Sequence, residues 1–360
     1  MTRGRGTAEP QECHQCGDVR HRLPHRRERV LRGRCRVAVY ASTVAGAGRD
    51  SRREPPCGCA PRDLAGRLPL APGVYRFRDA AGRVLYLGRA VSLRRRVLSY
   101  WGDLGDRAHL SPMVTRIASL EAVVCDSAHE AAWLERNLLQ ACLPPWNRSR
   151  SGGQEAEVWI RLSDSARTPG VQVVRQPLPG ARHFGPYLGG RKVRLAVSGL
   201  CRVLPLAYAT GGPSGTRHEM ARILGVSAAE RAGLARAVAA VLDRDPDAVA
   251  SLGARLSARR DTAASVLAFE FAARLQEEIE ALNWVTAEQK VTRASPSDFD
   301  VHGWADGMLV GFAVRRGRLT GWTRRACGAA SARRHLSETP PEWAGFAQRN
   351  AELAARLVPE

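Results

Sequence analysis

Apolar and polar positions alternate twice in quick succession after residue 70, in Val74-Tyr75-Arg76-Phe77 and again in Val84-Leu85-Tyr86-Leu87. Asp79-Ala80-Ala81-Gly82 lies between the two runs. A period of two on either side of a glycine-containing turn predicts a β-hairpin. The spacing then lengthens to three and four: Leu93, Val97 and Tyr100 make a helical stripe that Ser92 can cap, and residues 129 to 142 make a second helix that Pro144-Pro145 stops. Between them, Glu121 to Cys125 is a candidate third strand. The spacing thus predicts a small α/β unit over 63–150, large enough to fold.

The remainder is read more coarsely. Residues 151–215 are punctuated by Gly and Pro and contain two strand-like runs, Val158 to Leu162 and Val171 to Val174. Helical texture dominates 216–292, and 293–360 returns to short alternating runs, among them Met308 to Phe312, before a charged, Ala-rich terminal helix. The expected fold class is α+β, with a small α/β domain followed by a mostly helical region, a helical hairpin and a small β element. Residues 1–62 are rich in Arg, Gly, Ser and Pro with weak periodicity, which predicts a disordered basic leader.

Composition adds charge and excludes some classes. Lys and Arg number 55 against 35 for Asp and Glu, a formal charge of +20, and only Lys192 and Lys290 are lysines. An excess of this size implies a polyanionic partner or an unstructured basic tail, and arginine suits bidentate phosphate contacts, although a G- and C-rich genome gives the same bias. No apolar run is long enough to span a bilayer, and the Arg-rich start lacks the apolar stretch of a secretory signal, so the protein reads as cytoplasmic. Nine cysteines are then expected to be thiols or metal ligands. A zinc site can be drawn at Cys13, Cys16, Cys57 and Cys59, but the Cys57-Gly58-Cys59 spacing is unusual for zinc, and a disordered leader is the expectation there.

One carboxylate stands out. On a helical wheel of 130 to 142, Ala131, Ala132, Leu134, Leu138 and Leu139 share one arc and Glu135 falls within it, with Arg136, Asn137 and Gln140 opposite. A carboxylate pointing where a helix packs must be paired, protonated or bound to a cation. A salt bridge to an arginine and a metal site are both open.

Its company narrows the choice. The ordered string Pro72-Gly73-Val74-Tyr75, Tyr86-Leu87-Gly88-Arg89-Ala90, Leu93 with Arg96, Glu135 with Asn137-Leu138, and Pro145-Trp146-Asn147 resembles the GIY-YIG nuclease family, and most closely its branch at the amino terminus of UvrC, a protein of the ABC excinuclease. The resemblance implies an active site of Tyr75, Tyr86, Arg96, Glu135 and Asn147, with Glu135 holding one Mg²⁺ or Mn²⁺ ion and Arg89 and Arg96 binding phosphate. Either tyrosine can be the general base. The family usually has Lys where this chain has Arg89, and an arginine cannot shuttle a proton.

The likeness continues. His183-Phe184-Gly185-Pro186-Tyr187 resembles the segment that follows the nuclease module in UvrC and precedes a helix. The cysteines that the family commonly places next are lacking, with none between Cys201 and Cys327, so no iron-sulfur cluster is expected. Leu267 to Leu282 resembles the UVR motif, with apolar positions at 268, 271, 275, 279 and 282. Docking of UvrB through the 267–285 helix and an intramolecular pairing with residues 247 to 260 are both open. Asp298 to Gly303 resembles the junction before the RNase H-like second nuclease of full-length UvrC, and the 60 or so residues after it predict a short form without that domain. The function implied is a metal-dependent DNA endonuclease making a single incision in damaged or structured DNA, of the nucleotide excision repair type. Two alternatives stand beside it: a catalytically weak DNA-binding or UvrB-docking accessory, and the nuclease half of an exonuclease and UvrC-like fusion.

Overall fold

The computed structural model describes residues 60–150, 156–210, 215–294 and 296–358. The chain divides into two units, residues 1–50 and 51–360, and every described residue belongs to the second. The candidate zinc ligands Cys13, Cys16, Cys57 and Cys59 lie outside the described residues.

Helix α1 (Pro61–Gly66) starts on a proline, where a missing N–H costs nothing. Strands β1 (Gly73–Arg78) and β2 (Val84–Ala90) form the expected hairpin. Its turn is closed by the Asp79 carboxylate, which accepts from the Ala81 and Arg83 N–H groups at 3.0 and 2.9 Å. After α2 (Leu93–Leu98) and α3 (Ser111–Val114), strand β3 (Ser119–Val124) pairs antiparallel with β1, giving the order β2-β1-β3. The Ser92 hydroxyl caps nothing, against expectation, whereas Ser127 caps α4 (Ala128–Ala141) by accepting from Glu130 N–H at 3.0 Å. An asparagine amide meets each edge strand of this sheet. Asn147 accepts from Leu87 N–H and donates to Leu87 C=O (2.9 and 2.8 Å), and Asn350 does the same for Val124 (2.7 and 3.1 Å).

The Gly- and Pro-punctuated stretch carries a sheet of its own, its two expected strands β4 (Glu157–Ser163) and β5 (Gly170–Val174) joined by β6 (Arg182–Leu188) in the order β5-β4-β6. Helices α5 (Gly190–Val203), α6 (Thr216–Leu224), α7 (Arg231–Leu242), α8 (Pro246–Ser265) and α9 (Phe269–Thr286) follow. Helix α9 packs on α5 and α8, so the intramolecular pairing is present. Of the expected stripe, Leu275 and Leu282 are buried and Ala268 and Ile279 pack against the core, while Phe271 is exposed. Beside the stripe lies Glu278, fully buried and held by Nε and Nη2 of Arg202 at 2.8 Å each and by Ser198 Oγ at 2.7 Å. That carboxylate takes the inward place that apolar spacing alone does not reveal.

Strands β7 (Phe299–Ala305), β8 (Met308–Arg315) and β9 (Arg318–Ala326) build a third sheet, and α10 (Ala329–Leu336) and α11 (Pro341–Arg356) complete the described chain. Helix α4 is covered from both sides, by β1 and β2 and by β9, within one continuous core. This corrects the wheel: Asn137, expected on a solvated face, is buried and its amide donates to Val291 C=O (3.2 Å) and Thr292 Oγ1 (2.9 Å). Leu353 and Leu357 at the end of α11 join the cluster that contains Tyr75 and Phe77. Cys125, Cys201 and Cys327 are free, whereas Cys142 is disulfide-bonded, which departs from the expectation of thiols or metal ligands.

Candidate active site

Opposed residues of an antiparallel pair share a face of the sheet, so the pairs Tyr75 with Gly88 and Phe77 with Tyr86 set both tyrosines on one side. Tyr75 is fully buried, and its hydroxyl lies 2.8 Å from that of Tyr100. The Tyr86 ring centre is 6.3 Å from Tyr75 and 6.0 Å from Tyr100. Gly88 makes the cluster possible, since a Cβ there would stand 2.5 Å from the Tyr75 Oη and 2.8 Å from Tyr86 Cε1. Gly73 does a separate job: a Cβ at that position would meet the Val123 carbonyl oxygen at 2.3 Å, so its absence lets β3 close on β1.

Tyr100 is the residue that motif spacing missed as a site member. It follows α2 on a 3₁₀ turn, Ser99–Trp101, four positions after Arg96, whose guanidinium carbon lies 5.8 Å over its ring. That one-turn separation was the available sign. Burial raises all three phenols well above the ordinary tyrosine range. For Tyr86, Tyr100 and the Glu135 carboxylate push in the same direction as burial, and Arg96 works against them. Of the three, only Tyr86 keeps appreciable exposed surface.

Glu135 is 6% exposed and accepts from Arg89 Nε at 3.0 Å. The ion pair that the sequence left open is therefore formed. It lies at the rim of the core, because the Arg89 side chain remains 40% exposed. Arg89 sits opposite Val74, on the reverse face of β2 from the tyrosines, but β2 is an edge strand and Glu135 stays within electrostatic reach of Tyr86. Asn147 fixes the same strand through Leu87, between Tyr86 and Gly88. Tyr75, Tyr86, Arg96, Glu135 and Asn147 thus all gather on or around β2. Among the described residues no group of three or more His, Cys, Asp or Glu could hold a metal. A single carboxylate fits a hard cation that keeps most of its own water, and does not fit a closed zinc site.

Residues 71–148 match the family model for the UvrC-like GIY-YIG domain. This part of the chain is a UvrC-like GIY-YIG endonuclease domain. Similarity to curated proteins reaches beyond the GIY-YIG domain. UvrABC system protein C of Mycolicibacterium paratuberculosis is 33% identical over 284 residues, covering 72% of this chain and 43% of that protein. The protein of the same name from Saccharopolyspora erythraea is 31% identical over 323 residues, covering 83% of this chain and 45% of the relative. The chain thus spans less than half the length of these relatives. Among solved structures, the amino-terminal GIY-YIG endonuclease domain of UvrC from Thermotoga maritima, bound to magnesium, is 30% identical. The match covers 24% of this chain and 94% of that one, with a TM-score of 0.23.

Proposed function

We propose that the protein is a metal-dependent DNA endonuclease that makes a single incision in damaged or structured DNA, as in nucleotide excision repair. The observation that supports it is the convergence of Tyr75, Tyr86, Arg96, Glu135 and Asn147 around one edge strand, in the order that the GIY-YIG domain requires. Glu135 would hold one Mg²⁺ or Mn²⁺ ion, which would neutralise charge on the phosphate and make a bound water more acidic. Tyr86, the phenol with exposed surface, would orient the attacking water and, as the phenolate that the ion and Arg96 would favour, receive its proton, while Tyr75 and Tyr100 brace its ring from the buried side. Arg96 clamps a phosphate oxygen, and Arg89 does so once it releases Glu135. Asn147 keeps β2 straight beneath the reacting group.

A DNA substrate would be met in the cytoplasm, and the likeness to UvrABC system proteins supports UvrB as a partner. A docking surface of the right kind lies at the α8–α9 turn, where Val266, Leu267, Phe269 and Phe271 are exposed. Leu267 also has φ 60, a conformation that glycine would adopt at less cost. The Arg89–Glu135 pair favours a second reading, a centre of low activity that serves mainly to bind. The deciding assay is nicking of a lesion-bearing duplex in Mg²⁺. Glu135→Ala and Tyr86→Phe should each lose about 100-fold or more in rate and melt like wild type. Equal nicking by wild type and Glu135→Ala sinks the nuclease reading.

A further inference from the structure

The two hairpin turns of the third sheet differ in their first residue. Asp306–Gly307 and Arg316–Gly317 are both two-residue turns with positive φ at both positions (46° and 78°, 49° and 71°). Such turns prefer Asn, Asp or Gly first, as in the first of them. An arginine in that place is strained, and strain retained in a fold is a pointer to use. The Arg316 turn is also held firmly. Asp298 Oδ1 accepts from Arg316 N–H at 2.6 Å, Gly317 N–H donates to Ser297 C=O, and Arg293 N–H donates to Gly317 C=O, both at 2.8 Å.

This turn walls a cleft of about 510 Å³ against the C-terminal half of α4, lined by Asn137, Gln140, Ala141, Arg315, Arg316, Arg318 and Thr320. Among the described residues no acidic side chain lines it. Arg315 is paired with Asp300 at 2.7 Å and Arg318 with Glu157 at 3.2 Å, so these two brace the wall. Arg316 is exposed and, among the described residues, makes no ion pair. The C-terminal end of a helix repels anions, and here Arg150 offsets that by donating to Gln140 C=O at 3.0 Å. Arg150 lies three residues beyond Asn147 in the chain.

We infer that this cleft is a second nucleic-acid site, gripping the phosphate backbone of the substrate away from the scissile bond, with Arg316 as the phosphate ligand. The inference rests on the nuclease reading only for the identity of the polyanion. It is tested on the full chain by fluorescence anisotropy with a labelled duplex in EDTA, where no cutting occurs, across a salt series. Arg316→Asn suits the turn better, so it should melt at or above the wild-type temperature while binding several-fold more weakly, with a salt slope lower by about one. Arg316→Glu should weaken binding by about tenfold or more. Wild-type affinity and slope in both variants overturn the inference. So does an unchanged duplex affinity with lost binding of a poly-glutamate peptide, which would make the cleft a protein site. Nicking in Mg²⁺ separates the two readings: binding through Arg316 without nicking by wild type removes the nuclease reading alone, and normal nicking and binding by Arg316→Asn removes the cleft alone.

Discussion

Arg89 and the lysine usual at its position hold a carboxylate differently. A guanidinium donates from fixed, planar positions and keeps its charge, whereas an ammonium on a flexible stem swings away readily. With Arg89 Nε at 3.0 Å from Glu135, the carboxylate is engaged by a partner that any incoming cation must displace. Arg89→Lys is therefore expected to lower the Mg²⁺ concentration for half-maximal nicking and to raise the rate several-fold, as a metal titration would read; an unchanged midpoint would show that Arg89 does not compete. At this scale the sequence named side chains that the fold does bring close together, Tyr75, Tyr86 and Glu135. The site was less legible in the Tyr75–Tyr100 contact, because the spacing puts Tyr100 one turn from Arg96 but does not say which phenol it meets beneath β1. Nor do motif letters disclose that Gly88 is there for the volume of two phenols.

Helices whose second face meets protein instead of water are where periodicity misled. On α4 the polar arc proved to be an interface, and on α9 a carboxylate is buried beside the apolar stripe. Both follow from the same limit: a wheel locates apolar faces, and a buried polar group satisfied by a distant residue looks solvated. The nearest charge partner of Glu278 is 76 residues away, and removing it leaves the buried carboxylate only Ser198 and the more distant Arg274. Arg202→Ala should cost about 3–5 kcal/mol in chemical denaturation, and replacing both residues by apolar ones should recover most of it. The ionic knot on the first sheet gives a pH dependence. Burial opposes the charge on Glu121, but Arg76, Arg78 and Arg324 outweigh it and hold the carboxyl below the usual range. A carboxyl depressed in the folded state stabilises fully above its unfolded value and loses that contribution as pH falls through the folded one. Melting temperature should accordingly drop as pH is lowered from about 5, and Glu121→Gln should flatten that acid limb.

Across the whole molecule, the GIY-YIG domain is not closed by its own residues. Leu353 and Leu357 of α11 complete the packing under Tyr75, and Asn350 reaches β3 from 226 residues away. The hairpin, β3 and α4 were expected in this order, but this closure was not, since nothing in a terminal amphipathic helix names the surface it will cover. Asn350→Ala should cost about 1–3 kcal/mol through the orphaned Val124 groups, and amide exchange in β3 should quicken before exchange elsewhere. Asn147 and Asn350 have a joint consequence for colloidal behaviour. A three-stranded sheet has two borders at which a foreign strand can be added, and each is plugged by a side chain that imitates one residue of a neighbouring strand. The two amides thereby act as guards against polymerisation, so the first sign of their loss in a crowded cell would be filaments or aggregates of otherwise folded protein.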